Sequence, residues 1–275
     1  MDAHTTSPRV AIVTGGSRGL GRVMALALRA AGYAVTITAS GASAALDEVV
    51  AEVAELPGGA ELLLPMVADV SDPKRAQEVV DATVQRFGGV HALVNNAGRG
   101  MRLVSETFTT DPVHFWDVPA ATWSQIIDTN VNGPFIMSQA VMPFFLAQRE
   151  GRIVNVSTSA QTMIRPGYAP YGPSKAALEA MTRSWATDLA GSGVTVNLLL
   201  PGGAADTELL PSGPDRKGAD GNLLAPDVMA APAVWLCSPD SALVSGARVI
   251  AKLWDPSLPD AEAFTAASAP HVVAG

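Results

Sequence analysis

Tyr171 and Lys175 stand four residues apart in Tyr-Gly-Pro-Ser-Lys. On a helix that spacing puts both side chains on one face. A free phenol, with a pKa of about 10, is a poor acid or base at neutral pH. An ammonium one turn away stabilises the phenolate and draws that value towards the working range. Far upstream lies a second group, Thr14-Gly15-Gly16-Ser17-Arg18-Gly19-Leu20-Gly21. Glycines at the entrance to a helix let backbone N–H groups approach phosphate oxygens closely, because no Cβ intervenes. Alone, the first pair fits a solvated helix face and the second an ordinary turn. Together they seat a dinucleotide hydride source and a proton source, which is the chemistry of carbonyl reduction.

The elements that must position these residues follow from hydrophobic periodicity. Short apolar runs at 10–13, 34–39, 62–68, 90–94, 153–156, 194–200 and 248–253 read as strands. Helical patterns fill the gaps at 20–31, 44–56, 73–87, 122–148, 171–190 and 226–237, with Gly133-Pro134 and Pro143 as disturbances in the fourth. Ser71-Asp72-Pro73 supplies a cap and a first-turn proline for the third helix. Strict alternation predicts an α/β fold, a doubly wound parallel sheet of Rossmann type with helices on both faces. A single domain over 1–275 is expected, with its core at about 8–254. The segment 202–226, rich in glycine, proline and aspartate, reads as a mobile substrate lid, and 255–275 as a loosely ordered tail.

Composition narrows the partners. A hydrophobic content of 48% suits a sheet buried on both faces, and a net charge of −8 argues against nucleic acid. No apolar run is long enough for a membrane span, and the N-terminus lacks the pattern of a signal peptide. Cys237 is the single cysteine, so no intrachain disulfide forms and a cytoplasmic location is expected. His4, His91, His114 and His271 are scattered without metal-ligand spacing, and no metal is expected.

Thr-Gly-x-x-x-Gly-x-Gly, Asn95-Asn96-Ala97-Gly98 and Tyr-x-x-x-Lys, in that order, resemble the short-chain dehydrogenase/reductase family over about 10–249. The resemblance implies a cofactor site of Gly15, Ser17, Arg18, Gly19, Leu20 and Gly21 around the pyrophosphate. It adds Asp69 and Val70 at the adenine, and Asn95, Ala97 and Gly98 at the ribose. Pro201, Gly202, Ala204 and Thr207 follow along the nicotinamide, the threonine one position later than the family pattern. Lys175 would also bind the nicotinamide ribose beside Tyr171. At the end of the second strand Ala39 and Ser40 stand where an acid would select NAD, and Arg18 suits a 2′-phosphate. NADP(H) is therefore expected over NAD(H).

The same resemblance implies a strand-end hydroxyl that holds the substrate oxygen. The family's usual separation from the tyrosine selects Thr158, with Ser159 as the alternative. Asn130 matches the helix asparagine that holds a water for reprotonation through Lys175. Expected partners are a small-molecule carbonyl or alcohol and, through long helices, a second or fourth copy of the chain as a homodimer or homotetramer. Two departures stand out: 99–121 is longer than usual, and Ser245 onward lacks the family's paired glycines. Met101, Met163, Tyr168, Leu209 and Leu210 are candidates for an apolar substrate wall. The rival from another class is a non-catalytic NADP(H)-binding redox sensor, which needs no proton relay.

Overall fold

The computed structural model describes residues 7–213, 216–218 and 221–272. His4, both chain ends and four positions of the 202–226 segment lie outside the described residues. The chain runs β1 (Val10–Val13), α1 (Gly19–Ala30), β2 (Ala34–Ala39), α2 (Ala44–Ala54), β3 (Leu63–Val67), α3 (Pro73–Phe87) and β4 (Ala92–Asn95). It continues through α4 (Ala120–Ile127), α5 (Gly133–Gln148), β5 (Gly151–Val156), α6 (Ala160–Met163), α7 (Tyr171–Asp188) and β6 (Val194–Leu200). It closes with α8 (Ala230–Cys237), β7 (Arg248–Ile250) and α9 (Asp260–Ala267).

The seven strands form one sheet in the order β3-β2-β1-β4-β5-β6-β7, every neighbouring pair parallel. Strand alternation divides the core. Val13, Val94 and Val154 pack beneath α1, α2, α8 and α9, while Ile12, Leu93 and Ile153 face α3 and α5. The order reverses between β1 and β4, and the crevice beyond their carboxyl ends is where open α/β sheets bind ligands. Register keeps those ends level, with Val13 opposite Val94 and Val94 opposite Val154.

Local chemistry explains most boundaries. Asp72 accepts from the backbone N–H groups of Lys74 (2.9 Å) and Arg75 (3.3 Å) at the start of α3, and Gly88 ends it at φ 84°. The single helix expected over 122–148 is instead two. A π-helical turn at Asp128–Asn132 separates α4 from α5, which runs on through Pro143. Gly133 opens α5 because a Cβ there would fall 2.7 Å from Val70 Cγ2.

The tail is a correction. Rather than being loosely ordered, it carries α9, whose Ala263 and Ala267 are fully buried and whose Phe264 stacks on Trp235 at 4.8 Å. Three apolar positions at helical spacing suffice to dock it. An alanine-rich composition hid them. The last strand is also shorter than expected, giving way to a 3-10 turn at Ala251–Leu253. No described helix is long and apolar enough to cross a membrane.

Candidate active site

A cavity of about 1270 Å³ opens above the carboxyl ends of the strands, from the α1 entrance to the start of α7. At one end the glycine turn is held by backbone bonds. Thr14 Oγ1 accepts from the N–H groups of Asn96 and Ala97, both at 3.0 Å. The Asn96 amide donates to the carbonyls of Thr14 (2.9 Å) and Gly15 (3.1 Å). Gly15 and Gly19 take φ of 63° and 54°, the left-handed region that favours glycine. A Cβ on Gly21 would lie 2.2 Å from the Gly15 carbonyl oxygen, so only glycine lets α1 start this close to the turn. Gly15, Ser17, Arg18, Gly19 and Leu20 line the cavity; Gly21 shapes it from behind.

Further along, Thr38, Ala39, Ser40, Gly41, Ala42 and Ser43 form the wall beyond β2, with Arg18 exposed at its rim. No acidic side chain occurs in that stretch. Asp69 and Val70 close the far end. The Ser71 hydroxyl (2.6 Å) and N–H (3.0 Å) both donate to Asp69, and they hold its carboxyl below its ordinary value. Asn95 departs from its expected ribose contact. It is the last residue of β4, 3% exposed and turned into the core, where its amide donates to Ser138 and Asn155. Asn96, the next residue, faces the cavity with Ala97 and Gly98. Strand alternation contained that signal, since two adjacent asparagines must point opposite ways.

Pro201, Gly202, Ala204 and Thr207 line the cavity where β6 ends. Despite its late position, Thr207 reaches the glycine turn: a Cβ on Gly19 would come within 3.1 Å of its methyl. The segment read as a lid is anchored at its base by a bridge between Ala205 and Leu224, and Arg102 donates to the Glu208 carbonyl at 2.6 Å.

Tyr171 and Lys175 occupy the first turn and a half of α7 and open onto the same cavity. Lys175 Nζ donates to the Val156 carbonyl at 2.8 Å and lies 5.9 Å from the centre of the Tyr171 ring. The expected lowering of the phenol's pKa by Lys175 is not what this arrangement produces. Burial pushes Tyr171 up to about 12, opposed by a hydrogen bond with the Thr158 hydroxyl and reinforced by Tyr168. Burial likewise brings Lys175 down to about 8. With its ammonium committed to a carbonyl, Lys175 cannot outweigh desolvation of the phenolate.

The two candidate hydroxyls separate. Thr158 neighbours the Tyr171 phenol and lowers its pKa, whereas Ser159 caps α6, its Oγ accepting from the Thr162 N–H at 3.2 Å. Asn130 bonds the backbone where the helix is distorted. Its amide donates to the Arg99 carbonyl (2.9 Å) and Ser174 Oγ (3.0 Å), and its oxygen accepts from the Arg99 N–H (2.8 Å). With both amide hydrogens used, the side chain braces the Gly98–Arg99 turn against α7 and has no proton left to donate to a water. The π turn around it is the feature that leaves backbone carbonyls without helical partners.

The long connection 99–121 forms the opposite wall, contributing Met101, Phe108, Thr109, Thr110 and Pro112. Phe108 meets Tyr168 edge-on at 5.5 Å, and Gly167, at φ 76°, admits Pro112 where a Cβ would collide at 2.5 Å. Leu209 and Leu210 complete the apolar lining; Met163 is buried beneath it and does not contribute. His114 stacks on Trp116 outside the cavity. His91 accepts from the Val10 N–H, and His271 pairs with the Gly246 carbonyl. Sequence reasoning missed Thr14, Asn96, Arg99 and Arg165, all of which shape or line the site.

Known proteins resemble this chain in sequence and fold. The short chain dehydrogenase family profile matches residues 9–217. A 3-oxoacyl-(acyl-carrier-protein) reductase of Thermotoga maritima is 32% identical over 86% of this chain and 94% of its own length. One from Synechocystis is 36% identical over 70% and 73%. Among solved structures, the 3-ketoacyl-(acyl-carrier-protein) reductase of Brucella melitensis, complexed with NADH, superposes with a TM-score of 0.74 at 28% identity, covering 87% of this chain and 95% of that one. A putative short-chain alcohol dehydrogenase from Sinorhizobium meliloti gives 0.74 at 30%, covering 90% and 95%. In profile, sequence and fold alike, this chain belongs to the short chain dehydrogenase family of oxidoreductases.

Proposed function

We propose that the chain is an NADP(H)-dependent reductase of a ketone or aldehyde carbonyl, also able to run as an alcohol dehydrogenase, with Tyr171 as general acid/base. The observation that carries this is Tyr171, opening with Thr158 and Lys175 onto the same cavity as the glycine turn. The residues present suit a dinucleotide. Gly15, Gly19 and Gly21 form a cradle that side chains would fill, and the relatives' names support a nicotinamide cofactor. Preference for the 2′-phosphate form rests on the acid-free wall beyond β2 and on Arg18 at its rim.

When bound, the reduced nicotinamide supplies a hydride to the carbonyl carbon. Tyr171 donates its proton to the carbonyl oxygen, and the Thr158 hydroxyl donates a hydrogen bond to the same oxygen as charge develops there. Lys175, beside Gly98, binds the ribose hydroxyls and returns a proton to Tyr171. The path to solvent passes the π turn Asp128–Asn132, whose backbone carbonyls hold the relay while Asn130 positions it. A redox sensor would need no donor set, so Thr158, Tyr171 and Lys175 opening onto one cavity favour turnover over sensing.

The test is NADPH consumption against ketones, aldehydes, quinones and a 3-oxoacyl thioester, with NADH in parallel and Tyr171→Phe beside the wild type. We expect Tyr171→Phe to lower turnover by about 10²- to 10⁴-fold and to leave NADPH affinity within a few fold. Undiminished turnover in that variant would refute the assignment.

A further inference from the structure

The charged lining of the cavity is lopsided for a chain of net charge −8. Arg18, Arg99, Arg165, Lys175 and Lys217 face only Asp69 and Glu208. Arg18 and Arg99 lie at the glycine turn and the Asn96–Gly98 turn, Lys175 belongs to the catalytic pair, and Lys217 is exposed on the lid. Arg165 has no such assignment. It sits half-buried in the connection between α6 and α7, on the substrate side of Tyr171.

Its geometry is fixed by neighbours. Nη1 donates to the Tyr168 hydroxyl at 3.3 Å, and the guanidinium carbon lies 5.1 Å from the centre of that ring. Phe108 holds Tyr168 edge-on from the far side. Among the described residues no carboxylate comes within ion-pair distance of Arg165, and the Tyr168 hydroxyl is the sole acceptor its guanidinium meets. Met101, Phe108, Leu209 and Leu210 supply the apolar part of that lining, beside the neutral polar side chains of Thr109, Thr110, Gln161 and Thr162. A half-buried guanidinium without a counter-ion keeps donors available for an entering anion, with which charge-assisted hydrogen bonds form. One donor is already engaged with Tyr168, which leaves a single fork. That matches a carboxylate monoanion better than a phosphate dianion, which calls for several cations.

We propose that Arg165 is a substrate-binding residue and that the preferred substrate is a carbonyl compound carrying a carboxylate, bound with its carbonyl at Tyr171 and Thr158 and its anionic end on the Arg165 fork. The proposal deepens the reductase assignment and rests on it. Uncharged carbonyl compounds, including 3-oxoacyl thioesters, would occupy the apolar wall without that anchor.

The experiment compares 2-oxo, 3-oxo and 4-oxo alkanoates with their methyl esters, using NADPH and the wild type, Arg165→Ala and Arg165→Lys. The expected result is a wild-type preference of tenfold or more in kcat/KM for at least one acid over its ester. Arg165→Ala should abolish that preference through a rise in KM of about 10- to 100-fold for the acid, with the esters unchanged within about threefold. Arg165→Lys should recover part of it, because the charge persists without the fork. Turnover of esters with no preference for any acid, or equal losses for acid and ester in Arg165→Ala, would overturn the proposal while leaving the reductase assignment intact. Failure of acids and esters alike, with no turnover on the wider panel, would overturn both.

Discussion

The two ends of the cavity are built differently. At the glycine turn, backbone groups and missing side chains do the positioning: Gly15 and Gly19 at positive φ, Gly21 against the Gly15 carbonyl, and Thr14 and Asn96 bracing the loop. At the carbonyl end, side chains from separate segments converge: Thr158 after β5, Tyr171 on α7, Phe108 and Pro112 from the long connection, Leu209 from the lid. The first kind of site is fixed by local geometry and tolerates little change. The second depends on tertiary packing and can be rebuilt one wall at a time. On the proposed reading, cofactor binding belongs to backbone geometry and substrate choice to the side chains opposite.

The sharpest way to break this contrast is at Thr158. Removing its hydroxyl with Thr158→Val should lower kcat by about 10²- to 10³-fold, the usual loss when a donor to a developing oxyanion disappears. Thr158→Ser should stay within a few fold of wild type, and NADPH affinity should hold in both. If Thr158→Val weakened NADPH binding as much as turnover, the two ends would not be separable.

Lys175 sits where the ends meet, and its titration is the next test. Burial lowers it to about 8, so its ammonium is lost as pH rises through 8, where an exposed lysine stays charged. NADPH binding should weaken by up to about tenfold between pH 7 and 9, and Lys175→Met should flatten that profile. The fold carries the opposite sign. A buried lysine with a depressed pKa destabilises the native state below about 8, and stability is regained as pH rises towards the unfolded value. Tyr171, raised to about 12, works oppositely and only above about 10, where the unfolded phenol ionises first.

What was legible in the sequence follows the same division. The alternation of strands and helices, the glycine turn and the spacing of Tyr171 and Lys175 are short-range patterns, and the structure brings the last two to one cavity. Asn95 and Asn96 were exchanged because a motif names both and only the pleat tells them apart. The phenol's pKa was misjudged because spacing reveals a neighbouring ammonium but neither its hydrogen bond to Val156 nor the burial of both groups. Arg165 had no local signature at all. Its proposed role emerges only when a loop about sixty residues upstream folds Phe108 against Tyr168 at 5.5 Å.

At the far end of the cofactor region, Arg18 tests whether the acid-free wall beyond β2 determines cofactor choice. Arg18→Ala should reduce the ratio of NADPH to NADH kcat/KM by about tenfold, largely through the KM for NADPH. An unchanged ratio would mean that Ser40 and the α2 entrance carry the selectivity without the guanidinium.

The smallest effect should come from Ser159, the hydroxyl next to the one assigned to chemistry. Its oxygen accepts from the Thr162 N–H and pairs with the Thr162 hydroxyl at 3.0 Å, so it serves the fold of α6 rather than the substrate. Ser159→Ala should cost no more than about 1 kcal/mol of stability, the ordinary loss of an N-cap, read from denaturant unfolding. Turnover should remain within about twofold, because α6 is only four residues long and Thr158 keeps its place beside Tyr171 in the cavity. A loss of turnover matching Thr158→Val would mean that the loop presents both hydroxyls to the carbonyl. The carbonyl end would then be less sharply specified than its packing implies, since adjacent residues on one short turn could exchange roles. Retained turnover in Ser159→Ala, beside a collapsed Thr158→Val, would leave a single hydroxyl partner for Tyr171.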